Sequence, residues 1–288
     1  MVGKWGSGVV NVTLNLLFDM KLMYAVLMAL LVCCLGCGSN VRAEEPKTDD
    51  QQSEYDVYLL IGQSNMAGRG PMLASDREDV IDGVWLLNAE ALPEPAVAPL
   101  NRYSTIGKPL EMQQIGPGDM FGRVLYKKTG RKILLVVNAR GGTKIQSWLP
   151  DAEDGYFDQA VIRAKEGMKY GKLRGILWHQ GEGNSKSPDG YMDDLEVLVA
   201  ALRKALAAEE VPFVAGEIAP WHPNRDRFNP IIRTVSEHIP HSACVSSEGC
   251  TSRAPEDPED PHFGRDGQFL LGERYAEKIY DMVYKKNE

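Results

Sequence analysis

The chain has 288 residues, of which 43% are hydrophobic and 25% charged, the proportions of an ordinary globular protein, with a formal net charge of −8. Without residues 1–43 the balance is 29 basic against 39 acidic side chains, or −10, and no basic run remains; nucleic acid is therefore excluded as an expected partner. The acidity fits a soluble protein with a neutral substrate but identifies none.

The first predicted element is a targeting segment. Leu22–Gly36 is an apolar run of about 15 residues preceded by Lys21, too short for a comfortable membrane span and of the length of a signal-peptide core. Val41-Arg42-Ala43 before Glu44 has the small-x-Ala pattern of signal cleavage. Cys34-Leu35-Gly36-Cys37 resembles a bacterial lipoprotein box, with Cys34 where leucine is expected. Residues 1–43 are thus expected to be a signal peptide, with residues 1–19 before Met20 an over-called extension. Cleavage after Ala43 gives a secreted or periplasmic protein. Lipidation at Cys37 is the alternative, giving a lipid-anchored cell-envelope protein and the only expected membrane contact. Residues 44–53 are polar and read as a flexible leader. The remainder, 54–288, suits one α/β domain with a full-sized core.

That domain opens on Tyr55–Gly70, YDVYLLIGQSNMAGRG. Val57, Leu59, Leu60 and Ile61 read as a buried strand of the parallel-sheet kind, ended by Gly62. Ser64 follows on a glycine-led turn, where a hydroxyl can project from the carboxyl edge of a sheet. A helical turn after it would aim backbone N–H groups at the same point. This is the logic of a nucleophile elbow without its G-x-S-x-G spacing; a plain helix N-cap is the competing reading of Ser64.

Further strands are predicted at Val84–Leu87, Ile133–Val137, Gly175–His179, Phe213–Ile218 and Ala243–Ser246. Pro93, Pro95 and Pro99 mark 88–110 as a loop. Helices are expected to start at Gly116-Pro117-Gly118-Asp119 and end at Gly130, and over about 156–170, 190–208, 228–239 and 266–284. On the third of these Tyr191, Leu195, Leu198 and Leu202 share a face. Alternating strands and helices imply right-handed crossovers and a parallel sheet of about five strands, covered on both faces. Ligands of such sheets bind beyond the carboxyl ends of the strands. Four loops of unusual composition converge there: Gln63–Gly68, Arg140–Thr143, Gln180–Asn184 and Asp257–Gly264.

Acyl transfer through serine needs a base within hydrogen-bond reach and a carboxylate to orient that base. His262 has three candidate carboxylates nearby, Asp257, Glu259 and Asp260, although a solvated acidic loop with an incidental histidine is the bland alternative. In WHQGEGN, residues 178–184, Gln180 could donate to an oxyanion and Glu182 could orient His262. His179 lies on the strand itself and reads as a packed core histidine, with a lesser claim to be the base. Gly141 and Gly142 allow backbone N–H groups to approach a ligand. Trp148 and Trp221 read as core or rim packing, with sugar stacking as the other possibility. No metal-ligand spacing is present, and no cofactor is expected. Cys244 and Cys250, the two cysteines of the body, are expected to form a small-loop disulfide in an exported chain.

Taken together and in this order, GQSNMAGRG at 62–70, NARGGT at 138–143, WHQGE at 178–182 and DPHF at 260–263 resemble the SGNH hydrolase superfamily. Within it they resemble the sialate O-acetylesterase-like and acetyl xylan esterase branch, carbohydrate esterase family six. The resemblance implies a three-layer α/β/α sandwich with a flavodoxin-like parallel sheet, and a metal-free serine esterase acting on acetylated poly- or oligosaccharides. It makes Ser64 the nucleophile and His262 the general base and acid. The Ser64 N–H, the Gly142 N–H and the Gln180 side chain become oxyanion donors, with Gln63 and Asn65 beside the nucleophile as further binding residues. For the acid that orients His262 the expected order of importance is Glu182, then Asp260, then Glu259. Gly183-Asn184 departs from the Ser-Asp usual in that branch. A catalytically idle glycan-binding module and a short-chain lipase or arylesterase are the rival readings.

Overall fold

The structure is a computed structural model that describes residue 3 and residues 54–285. The expected signal segment, Ala43, Cys37 and the leader lie outside the described residues. The elements below belong to the compact unit Thr48–Glu288.

Strand β1, Tyr55–Gly62, is buried along its whole length. Its side chains alternate between two cores: Val57, Leu59 and Ile61 enter one, while Tyr58 and Leu60 enter the other. A strand at the centre of a covered sheet is apolar on both faces, which accounts for the continuous run. Strands β2 (Val84–Leu87), β3 (Pro93–Pro95), β4 (Ile133–Val137), β5 (Gly171–His179), β6 (Phe213–Gly216) and β7 (Ser242–Val245) complete a sheet ordered β3-β2-β4-β1-β5-β6-β7. All neighbours are parallel except β3, which runs antiparallel to β2.

The sheet has seven strands where about five were expected, and the difference includes β3. Its two prolines lack a donor N–H, which disfavours a central strand but is tolerated at an edge. Trp85 pairs with Pro95, and Leu87 with Pro93, at the sheet margin.

Helices α1 (Ser64–Ala67), α2 (Gly118–Thr129), α3 (Tyr156–Met168), α4 (Tyr191–Ala205), α5 (Arg225–Arg233), α6 (Val235–His238) and α7 (Arg265–Val283) follow in chain order. Helices α3 to α6 supply Ala160, Ala164, Leu195, Leu198, Leu202, Phe228, Ile232 and Val235 to the first core. Helices α2 and α7 supply Phe121, Leu125, Leu271, Tyr275 and Ile279 to the second. The result is a three-layer α/β/α sandwich. The single helix expected over 228–239 is two pieces divided at Thr234. There the Thr234 hydroxyl bonds the Ile231 carbonyl at 2.8 Å, a local bond that competes with helix continuation.

The expected Cys244–Cys250 bridge is not formed; both are free thiols. Cys244 packs against the first core and Cys250 belongs to the second. The two side chains therefore serve opposite layers, and closeness in sequence does not bring them together.

Strand order gives the site its place. From β1 the chain passes to β2 and β4 on one side, and later to β5, β6 and β7 on the other. The crevice at such a reversal lies at the carboxyl ends of β1 and its two neighbours, β4 and β5.

Candidate active site

Gly62 ends β1 at φ +132, and a Cβ there would lie 2.3 Å from the His179 carbonyl oxygen. Only glycine fits so close beside β5, and the bend it permits turns the chain into α1 with Ser64 as its first residue. The loop after β4 closes the other side. Arg140 N–H continues the ladder to the Gly62 carbonyl at 3.0 Å. A Cβ on Gly141 would stand 3.3 Å from Ser64 Cβ and 2.9 Å from Arg69 Nη2. Among the described residues, neither the Ser64 N–H nor the Gly142 N–H has a hydrogen-bond acceptor.

His262 arrives on the loop that precedes α7. Its Nε2 lies 3.0 Å from Ser64 Oγ, and its Nδ1 lies 2.6 Å from Asp260 Oδ1. The same carboxylate oxygen accepts the His262 backbone N–H at 2.9 Å. Asp260 therefore makes an Asx-type turn, its side chain bonding the backbone two residues on, and that turn brings its carboxylate round to the edge of the imidazole. Arg253 Nε donates to the other oxygen, Oδ2, at 2.7 Å. Trp221 Nε1 donates to the Asp260 carbonyl at 2.9 Å, and its ring packs edge-on against Phe263. Arg253, on the same connection between β7 and α7 as His262, and the indole bond of Trp221, which approaches from the loop after β6, were missed in the sequence.

Burial raises the Asp260 carboxyl, but hydrogen bonds from Arg253 and His262 outweigh it and leave the group below the ordinary carboxylate value. Burial, followed by the charge of Arg253, lowers the His262 imidazole against the opposing pull of Asp260. A neutral imidazole next to an ionised carboxylate is the protonation state that a general base requires.

The expectation that Glu182 orients His262 is corrected. Its Oε1 accepts the Asn65 Nδ2 hydrogen bond at 2.5 Å, while its Oε2 is buried with no partner among the described residues. Although part of the residue reaches the surface, burial of the carboxyl pushes its pKa up to about 7. Glu259 has its own backbone N–H bonded to Asp257 Oδ1 at 3.0 Å and makes no bond to His262.

Gln180 is corrected as well. It is fully buried, and its Nε2 lies 2.9 Å from Asn184 Oδ1, 3.0 Å from the Thr143 carbonyl and 3.2 Å from Gln63 Oε1. Two N–H groups facing three internal acceptors leave nothing to offer an oxyanion. Gln63 Oε1 also faces the Gly183 N–H at 3.4 Å. Asn184, where the expected motif differed, receives the Ile145 N–H at 2.9 Å and donates to Gln146 Oε1 at 3.0 Å. These amides tie the β4 and β5 loops together behind Ser64.

His179 sits away from Ser64, with Nδ1 3.0 Å from the Tyr275 hydroxyl; burial lowers its pKa to about 3. It is a core histidine. Trp148 is fully buried and donates to Thr143 Oγ1 at 3.0 Å, so it packs and offers no face to a sugar. Among the described residues no cluster of three or more His, Cys, Asp or Glu is placed to hold a metal ion.

The family described as carbohydrate esterase, sialic acid-specific acetylesterase, matches residues 54–281, and the chain belongs to it. A probable carbohydrate esterase of Arabidopsis thaliana is 25% identical over 256 residues, covering 82% of this chain and 95% of that one. A solved Arabidopsis thaliana structure superposes with a TM-score of 0.67 at 24% identity, covering 79% of this chain and 98% of the other. The structure of NanS gives 0.63 at 16% identity, covering 82% and 99%. A carbohydrate acetylesterase from Xanthomonas citri gives 0.55 at 17% identity, covering 80% of this chain and 56% of that one. At these identities the solved structures support the fold.

Proposed function

We propose that this member of the carbohydrate esterase family removes O-acetyl groups from saccharides by the serine mechanism of SGNH hydrolases, in the manner of the acetyl xylan and sialate esterase branch. The observation that carries the reading is the relay Ser64–His262–Asp260, with consecutive contacts of 3.0 and 2.6 Å. Ser64 Oγ attacks the acetyl carbonyl carbon while His262 Nε2 takes the hydroxyl proton. The carbonyl oxygen becomes an oxyanion, for which the unengaged N–H groups of Ser64 and Gly142 are the candidate donors. Asp260 holds the Nδ1–H tautomer and faces the imidazolium that forms. Collapse of the tetrahedral adduct breaks the bond to the sugar oxygen, which leaves with the proton from His262. An acetyl-Ser64 ester remains. Water, deprotonated by His262, then attacks this ester, acetate departs, and Ser64 recovers its proton.

Export to the periplasm or medium, or tethering at Cys37, belongs to the same proposal and would place the enzyme where acetylated polysaccharide is met. The test is acetate release from acetylated xylan, pectin and sialoglycans by the wild type and by Ser64→Ala. The variant is expected to fold and to lose roughly 10⁴-fold or more in kcat. Near-normal turnover by Ser64→Ala would end the serine reading, and no acetate from any saccharide by the wild type would end the carbohydrate reading.

A further inference from the structure

Asn65 follows the nucleophile, is fully buried, and has all four hydrogen-bonding positions of its amide occupied. Nδ2 donates to Glu182 Oε1 at 2.5 Å and to the Pro261 carbonyl at 3.1 Å. Oδ1 accepts the Phe263 N–H at 3.2 Å and Gln268 Nε2 at 3.4 Å. Pro261 and Phe263 are the residues on either side of His262. One side chain, next in sequence to Ser64, thus grips the backbone both before and after the base.

This grip works in only one orientation of the amide. Were Asn65 turned over, its oxygen would face the Pro261 carbonyl and its NH2 would face the Phe263 N–H, opposing like groups in both places. Glu182 Oε1 accepts from the NH2 end and fixes the working orientation. The Glu182 loop is itself held, since its backbone carbonyl accepts the Ser185 hydroxyl at 2.9 Å and the Gln180 carbonyl accepts the Tyr191 hydroxyl at 2.9 Å.

We infer that Asn65 and Glu182 form a clamp that sets the Ser64–His262 distance, with Glu182 acting as a hydrogen-bond acceptor toward Asn65 and not as the acid of the triad. Both are positioning residues. The assignment rests on the serine-esterase reading. A carboxylate, a carboxylic acid and a carboxamide can all present an acceptor oxygen to Asn65 Nδ2, so the chemistry asked of position 182 is an acceptor and not a charge.

The experiment is steady-state kinetics on p-nitrophenyl acetate for Glu182→Gln, Glu182→Ala, Asn65→Ala and the Asn65→Ala/Glu182→Ala pair, with Asp260→Asn and Ser64→Ala as references. Glu182→Ala and Asn65→Ala are each expected to lower kcat by about 10- to 100-fold with KM changed by less than about threefold. Asn65, expected as a binding residue, is buried with its amide engaged internally, so the clamp acts on the Ser64–His262 geometry and not on ester binding. Glu182→Gln keeps an acceptor and should recover kcat to within about fivefold of wild type. The pair should be no slower than the worse single variant by more than about threefold, since residues acting as one unit are not additive. Asp260→Asn should cost far more, about 10⁴-fold.

A Glu182→Gln variant as slow as Asp260→Asn would overturn the clamp and return Glu182 to the triad. Normal kcat in Glu182→Ala, additive losses in the pair, or a raised KM with kcat intact would each overturn it too. If Asn65→Ala does not fold, the contrast between Glu182→Gln and Glu182→Ala decides alone. Activity in Ser64→Ala would remove the esterase reading itself; an inactive Ser64→Ala alongside an unimpaired Glu182→Ala would remove only the clamp.

Discussion

Replacing Glu182 with glutamine removes a titration that burial has displaced upward, from 4.5 to about 7. Below the unfolded value both the folded and unfolded chains hold the proton, and Glu182 adds no pH dependence. As pH rises through that value the unfolded chain releases the proton while the folded chain keeps it. The unfolded state then binds fewer protons, so stability falls with rising pH until the folded group ionises near 7, after which the loss is complete. One pKa unit is worth about 1.4 kcal/mol, so a displacement of this size withdraws on the order of 3 kcal/mol across that window. In a domain of this size the loss amounts to roughly 6 to 12 °C in Tm. Glutamine also leaves an NH2 group beside the place of the buried Oε2, at a cost of about 1–3 kcal/mol, but that cost does not vary with pH. The quantity to measure is therefore the difference in Tm between Glu182→Gln and wild type, by calorimetry or near-UV dichroism, from about pH 5 to about pH 8. The difference should grow in favour of the variant as pH rises. Parallel Tm curves, or a difference that shrinks, would refute the reasoning and show that Glu182 is ionised in the folded protein at neutral pH.

Other consequences follow from the relay and from the thiols. The acid limb of kcat/KM reports His262 in the free enzyme, with the rate full above its pKa and falling as pH drops through it. Burial and then Arg253 hold that pKa below the ordinary 6.5, so Arg253→Met should move the limb to higher pH; an unmoved or lowered limb would show that its charge does not reach the imidazole. Burial pushes the Cys244 and Cys250 thiols up to about 12, so both should resist thiol reagents in the native protein and react fully in denaturant without reductant. A linked 244–250 peptide in non-reduced mass spectra would contradict this.

The layers were legible because their cause is local. Alternation along Val57, Tyr58, Leu59, Leu60 and Ile61 commits one strand to two cores, and the observed partition follows that parity. The stripe of α4 likewise lies on the side its spacing predicts. Edge strand β3 was hidden by its prolines, which punctuate a sequence as loop whenever the location of the edge is unknown. The cysteines failed for a similar reason. Six positions apart is close along the chain, but β7 ends between them and the two side chains are claimed by different layers.

The site divides along the same line. Ser64, His262 and the loops that carry them could be placed because strand ends in a parallel sheet must gather at one edge. Choosing the acid needed more, because it turned on which polar groups face one another. Asp260 stands second in the sequence-based order because an extended segment would bring it only to the edge of the His262 ring; an Asx turn, which aspartate favours, reverses that geometry. Gln180 was offered to the oxyanion because a buried amide must have partners, and that same rule gave it internal ones. Glu182 is the most instructive residue. In the β1–β5 pairing Gly62 stands opposite His179, and Asn65 and Glu182 each follow three residues beyond those strand ends. The neighbouring strand ends bring the two side chains within hydrogen-bond reach. No single motif contains that contact. It arises where two motifs, GQSNM and WHQGE, leave adjacent strands side by side, and there the acidic residue of the second meets the neighbour of the nucleophile in place of the histidine.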